Sequence, residues 1–473
     1  MSLKIGWGKA DITPIGEICE KVSLLGQFHE RIAYAARDRI CATAFAIESS
    51  EGGKAIVVSL DICSVPGSLM SAARGKLKKS TPDFPPESLL MAATHIHTGP
   101  YLKNDDLSEL WGDRFYFSNT DPDVAKPDMY LEFAAEKISF AAAEAWNNRA
   151  PGGICAAFGR VGVPQCRLVR YRDGSASMYG NTDTENFLRI EGAADSGVEY
   201  LAAFDMSGKM TGAIINLACP AQVIEHMHCI SADMWGDVRR QWPECEHILP
   251  LCGAAGDMTM RDLVRRGRGE NNMRDIDGME QQAARIVRES KFVLSGIKNG
   301  DILYDVPVRH IVETIPLPLR TVTEGDYIKA KAAYDEIENR LGADPSARYE
   351  DSIPLPMSER TAYASVAGIV NRFRLQSEKR GIDAEIHALR IGSTVTATNP
   401  FELYQDFGMC IKARSPANQT LIAQLSCGNL GYLPTMRGIA GASYGGGVSN
   451  GFIGPEGGDA LVENTLEMIN RLF

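Results

Sequence analysis

The chain has 473 residues, with 49 Lys and Arg against 60 Asp and Glu, for a net charge of -11. At 44% hydrophobic and 23% charged it has the composition of an ordinary folded protein with a large core, which excludes disorder and fibrous repeats. The acidic balance leaves no electrostatic footprint for nucleic acid or an anionic membrane. The one basic cluster, Arg265-Arg266-Gly267-Arg268, sits among Gly, Asn and Glu, the setting of a solvated loop.

Apolar runs such as Ile56-Val57-Val58 fall far short of the roughly 20 residues a membrane span needs. Eleven scattered cysteines, an odd number, do not form a disulfide framework. No basic and then apolar leader opens the chain, so a cytoplasmic protein with a small-molecule partner is expected. The sequence is silent on oligomeric state.

In chain order, β-rich runs are predicted near 54–60, 88–95, 199–205, 212–218, 247–252, 303–314, 384–391 and 420–425. Helices are predicted near 66–79, 129–147, 277–294, 326–341, 358–376, 401–413 and 459–472. This alternation predicts an α/β protein with a layered β-sheet core and flanking helices, its chemistry on loops at strand ends. Tyr327, Ala330, Tyr334, Ile337 and Leu341 form one apolar stripe, and Ala362, Val366, Ile369 and Phe373 another. They predict a helical hairpin at about 325–377, within a single domain spanning 1–473. Long loops at 101–127, 261–276 and 437–458 have the length of functional lids. Trp111 and Tyr116 in the first of them are candidates for setting specificity.

The sharpest local signal is Ala93-Thr94-His95-Ile96-His97-Thr98-Gly99-Pro100, closing an apolar strand. Residues two apart on a strand share a face, so both imidazoles project together, as metal ligands or as hydrogen-bonded surface histidines. Cys219-Pro220-Ala221-Gln222 closes another apolar run and leads into Glu225-His226-Met227-His228. Cys219 is either a thiolate donor or a small buried side chain. Asp257 and Glu402 follow strand ends, where single acids serve as caps or turn residues. Gly441-Ala442-Ser443-Tyr444-Gly445 fits the pattern of a nucleophile elbow, but its flanks are loop and no His follows it, which rules out that serine triad.

Joined together, these segments resemble the catalytic domain of the neutral/alkaline non-lysosomal ceramidases. Ile5 to Pro14 is similar to that family's opening strand, Ser59-Leu60-Asp61 and Ala93 to Pro100 to its next two signatures. Asn181-Thr182-Asp183, Gly256-Asp257, Pro400-Phe401-Glu402 and Gly431-Tyr432-Leu433-Pro434-Thr435 follow in the family's order. The match runs from about residue 4 to the C-terminus.

The resemblance implies a zinc-dependent hydrolase that cleaves a linear amide with a metal-activated water. Carried over by position, it implies His95, Glu402 and Tyr432 as metal ligands. Cys219 stands where ceramidases have the second ligand His; a thiolate swap is favoured, with His226 or His228 as alternatives. His97 falls on a residue that contacts substrate and moves protons, Arg167 on one that orients substrate, and Asp257 on an essential acid, while Tyr432 also steadies the oxyanion. Full-length ceramidases add an immunoglobulin-like module and usually a secretion signal; neither is evident here, which points to a small soluble substrate. An esterase or lactonase on the same site, and a non-catalytic binding relative, are the rival expectations.

Overall fold

A computed structural model of the chain describes residues 3–27, 29–111, 121–264, 273–341 and 357–473. Eight strands form the larger sheet: β1 (Lys4–Asp11), β2 (Cys41–Glu48), β3 (Lys54–Leu60), β4 (Leu89–Ala93), β5 (Ala150–Arg160), β6 (Gly197–Asp205), β7 (Met210–Leu217) and β8 (His247–Cys252). Their order is β8-β7-β6-β5-β1-β2-β3-β4. Pairing is antiparallel except at the two ends, where β3 with β4 and β7 with β8 run parallel. A second sheet holds β9 (Val308–Pro318), β10 (Gly381–Ile391), β11 (Thr394–Thr398) and β12 (Gln419–Ala423) in that order.

The period-two alternation of these strands builds the layers. In β3, Ile56, Val58 and Leu60 join a core shared with Leu69, Ala141 and Ile286 of the helices Gly67–Ser80, Pro127–Asn147 and Asp275–Ser295. The intervening Ala55 and Val57 join a second core with Leu389 of β10 and Leu421 of β12. On the far face of the smaller sheet, Ala384 and Ile386 pack with Leu461, Leu466 and Ile469 of the helix Pro455–Leu472. The result is helix, sheet, sheet, helix. Asn216 of β7 fastens the two sheets, its Nδ2 donating to the carbonyls of Leu251 (3.0 Å) and Ile422 (2.7 Å).

The outer helix layer sits unusually near the sheet. A Cβ on Gly8 of β1 would stand 2.1 Å from the carbonyl oxygen of Ala141, so only glycine permits that approach. Alanines 42, 44 and 46 of β2 lie beneath the same helices.

The predicted elements correspond closely to those observed, with three differences. The expected helix 401–413 begins only at Gln405, because Glu402–Leu403 first pairs in parallel with Tyr432–Leu433. Strands β2, β5 and β11 are not among the predicted runs, and β1 is expected only from the resemblance. Strand β4 stops at Ala93, and His95 has φ of 62°, so β alternation does not aim the two imidazoles; a left-handed kink does.

The hairpin forms from the helices Glu324–Leu341 and Met357–Leu375, with Tyr327 stacked on Phe373 at 4.2 Å and Tyr334 on Tyr363 at 5.5 Å. The Ile353–Pro356 connector lies outside the described residues. Among the described residues, no helix is long and apolar enough to cross a membrane.

Candidate active site

Parallel pairing of β3 and β4 carries the chain into two adjacent loops. Thr94 N donates to the Leu60 carbonyl (2.9 Å) and His95 N to the Ile62 carbonyl (3.1 Å), so Cys63 stands beside His95. Below them, Asp61 is wholly buried and bidentate with Arg239 of the helix Met234–Gln241, at 2.7 and 3.2 Å. Its Oδ2 also accepts from Cys41 N at 2.9 Å, which fixes the start of the Cys63 loop.

The His95 Nδ1 lies 2.7 Å from the Cys63 carbonyl oxygen, a pure acceptor, so this nitrogen carries the donated hydrogen. Its Nε2 then faces Glu402 Oε2 at 3.3 Å. His97 is held differently. Its Nδ1 bonds Glu225 Oε2 at 3.0 Å, while Gln222 Nε2 lies 2.9 Å from its Nε2. The two imidazole rings sit edge to face, 5.2 Å apart.

Glu402 and Tyr432 meet because their two short strands pair, residue against residue. Arg167, 5% exposed, spans them: its Nη2 donates to the Gly256 carbonyl (2.9 Å) and to the Tyr432 hydroxyl (3.2 Å), and lies 3.7 Å from Glu402 Oε2. Its Nη1 donates to the Tyr179 hydroxyl at 3.1 Å. Gly256 packs flat on this strand: a Cβ there would stand 2.3 Å from the Glu402 carbonyl oxygen.

Burial depresses His95, but the Glu402 carboxylate and the Cys63 sulfur outweigh it and hold this imidazole well above its ordinary value. Burial pushes the Cys63 thiol up; His95 and His97 more than reverse that, to about 6. Glu402 is raised by burial and lowered further by His95 and Arg167. Tyr432 is pushed well up by burial and the Glu402 charge, so it stays a neutral phenol.

A cavity of about 540 Å³ joins these groups. Its lining combines the polar Cys63, His95, His97, Arg167, Glu402 and Tyr432 with the apolar Leu102, Leu107, Leu425 and Phe452. The donor set fits a cation. His95 Nε2 and Glu402 Oε2 are both acceptors once Nδ1 is committed, so a proton or a metal must lie between them. Donor atoms of Cys63, His95 and His97 also lie within 4.8 Å of one another, and N, O and S donors suit zinc. A second such group, Glu385, His387 and Cys427, is different: Arg74 already occupies both Glu385 oxygens, at 3.0 and 2.8 Å.

Of the residues expected at the site, His95, His97, Arg167, Glu402 and Tyr432 are brought together. Cys219 is not among the cavity-lining side chains. It is 1% exposed in the core, its Sγ 3.6 Å from the Pro220 carbonyl oxygen, with the Cys252 thiol donating to its own carbonyl. His226 pairs with Asp275 at 3.0 Å, and neither it nor His228 lines the cavity. Asp257 sits one layer back, its Oδ1 accepting from Gln405 N (2.8 Å) and its carbonyl from Arg167 N (2.9 Å). Burial raises its carboxyl to about 6.

Loop 101–127 contributes Tyr101, Leu102, Asn104 and Leu107 to the lining, while Tyr116, like Arg265–Arg268, lies outside the described residues. Cys63, Gln222, Glu225, Tyr179 and Tyr444 were not anticipated as site residues. For Cys63 a signal existed: it stands three residues past the end of a strand adjoining the histidine strand. Tyr444 comes from the Gly-x-Ser-x-Gly segment, which thus lends the site a tyrosine and not its serine.

The four layers, with the site at loops following the parallel strand pairs, form a neutral ceramidase-like catalytic-domain fold. Two solved structures share it across 100% of this chain: a ceramidase complexed with C2 (TM-score 0.70, 17% identity, 75% of that chain covered) and the neutral ceramidase from Pseudomonas aeruginosa (TM-score 0.69, 17% identity, 74% covered). At this identity the likeness is one of fold. The sequence itself matches no family model and no curated protein.

Proposed function

We propose that this chain is a zinc-dependent hydrolase that cleaves the amide bond of a small N-acyl compound. The observation that carries the reading is the contact of His95 Nε2 with Glu402 Oε2 at 3.3 Å, a place for a proton or a metal, in a cavity that Arg167 and Tyr432 also line. His95, Glu402 and Tyr432 would hold the metal; Cys219, the donor that the resemblance adds, is buried in the core and does not line the cavity. Bound there, zinc supplies Lewis acidity and lowers the pKa of water.

The protein's own groups divide the remaining work. Arg167, fixed by three hydrogen bonds, orients the substrate carbonyl. The neutral Tyr432 phenol donates to the developing oxyanion. His97, held by Glu225 at Nδ1 and by Gln222 at Nε2, exchanges a proton with the leaving nitrogen once Gln222 gives up its contact. Asp257 acts through Arg167 and Gln405. The apolar lining side chains accept the acyl chain, and the cavity volume of about 540 Å³ suits a small ligand.

The test is a panel of N-acyl amides with matched esters and lactones, run on native, chelator-stripped and zinc-restored protein. Amide cleavage lost on stripping and restored by zinc supports the proposal. Arg167→Ala should lower kcat/KM by about 100-fold or more with zinc content unchanged. Full activity in metal-free protein, or turnover confined to esters, contradicts it.

A further inference from the structure

Separate stretches of chain hold the His97 ring. Glu225 Oε2 bonds its Nδ1 at 3.0 Å, and Gln27 Nε2 donates to the same oxygen at 2.8 Å. Gly26, at φ of 109°, lies flat against the imidazole: a Cβ there would stand 2.3 Å from its Cγ and Cδ2. Behind these groups is Arg31, wholly buried and not among the cavity-lining residues. Its Nη2 donates to the carbonyls of His97 (2.5 Å) and Leu25 (3.0 Å), and its Nη1 to that of Met227 (3.0 Å). We propose that Arg31 is a positioning residue for His97, which fixes the imidazole by joining the backbones of the three segments around it. The inference rests on the hydrolase reading above and extends it to a residue outside the cavity.

The arrangement is a clamp. A guanidinium is planar and its donors form a rigid fork, so bonds to three segments set how those segments face one another. Each accepting carbonyl belongs to a stretch that touches the ring. One is that of His97 itself; Leu25 directly precedes Gly26; Met227 follows Glu225 by two residues. Arg31 is anchored in turn, because the strand Arg31–Ala33 pairs antiparallel with Lys21–Leu24, with Leu24 opposite Arg31. Leu25 N also donates to the Gly99 carbonyl at 3.0 Å, a second tie between the loop at 25–27 and the His97 segment. Without the fork the ring can still bond Glu225, but nothing fixes its tilt toward the leaving nitrogen, and proton transfer depends steeply on that alignment.

Kinetics on the full-length zinc-loaded protein test this, using N-acyl amides of graded leaving amine from a nitroanilide to an alkylamide. A proton donor matters most where the leaving nitrogen is most basic. In Arg31→Met, kcat should fall about 30-fold or more for the alkylamide and by no more than about threefold for the nitroanilide, with KM and zinc content unchanged. Added to His97→Ala, the same substitution should cost less than about twofold further, because its target is gone. A loss equal across the series, a rise in KM alone, independent losses in the double variant or an unchanged kcat overturns the proposal and leaves the hydrolase reading in place. Arg31→Lys keeps the buried charge but not the fork, and should show the same graded loss; it decides if Arg31→Met does not fold. Wild-type protein that cleaves none of the amides removes the hydrolase reading, and this inference with it.

Discussion

Asp61 and Arg239 are not among the cavity-lining residues, yet the site depends on them. Asp61 is wholly buried, and its carboxylate holds both the guanidinium and the backbone of β2. Removing one partner leaves the other charged and unpaired in the core. Arg239→Met should therefore cost about 3–5 kcal/mol in urea unfolding. The Cys63 loop begins at Asp61, so zinc affinity should weaken in the same variant; unchanged stability and affinity would show that the pair is dispensable. His95 itself pays in backbone strain, at φ of 62°, for the direction in which its ring points. Such a kink has no residue signature when the residue is not glycine. That is why the sequence located the two histidines correctly but assigned them the wrong means of alignment.

At the scale of elements, apolar spacing placed β3, β4, β7, β8 and most helices within a few residues. It failed where side-chain size, not hydropathy pattern, governs packing. Strand β2 reads Cys-Ala-Thr-Ala-Phe-Ala-Ile-Glu, and alanine favours helix in isolation. Here those alanines are small because the helix Pro127–Asn147 lies close above, and the same approach explains Gly6 and Gly8 in β1. Gly8→Val should cost about 3 kcal/mol or more by forcing that helix off the sheet. Thermal or urea unfolding within 1 kcal/mol of wild type would mean that the layers have slack that the structure does not show. The short pairing of Glu402–Leu403 with Tyr432–Leu433 was equally hidden, since two-residue strands carry no periodicity; only the resemblance joined those two residues.

Across the whole molecule, the two sheets and the outer helices are tied by buried polar groups as well as by apolar cores. Arg74, on the helix Gly67–Ser80, grips Glu385 of β10, which bonds His387, which bonds His310 of β9 at 3.0 Å. Burial works against charge on His387, but Cys427 and Glu385 outweigh it and raise it to about 9. A folded value above the unfolded value of about 6.5 means that the stabilisation is full below that pH and fades as pH rises through 9. Unfolding free energies of wild type and His387→Asn should therefore converge between pH 6.5 and 9; a constant difference would assign the His387 contribution to packing alone. The layered α/β fold and five of the site side chains were legible in the sequence. The roles of the supporting carboxylates were not, although Asp61 falls in one of the signatures, because Glu225 and Asp61 become meaningful only once the chain has brought their partners to them.

The central claim is that one metal ion sits between His95 and Glu402. Anomalous diffraction from a crystal of the purified protein, recorded above and below the zinc edge, tests it most directly. The account predicts a single strong peak within bonding distance of His95 Nε2 and Glu402 Oε2, absent below the edge. An amide-cleaving preparation whose crystals show no anomalous peak at that position would contradict it.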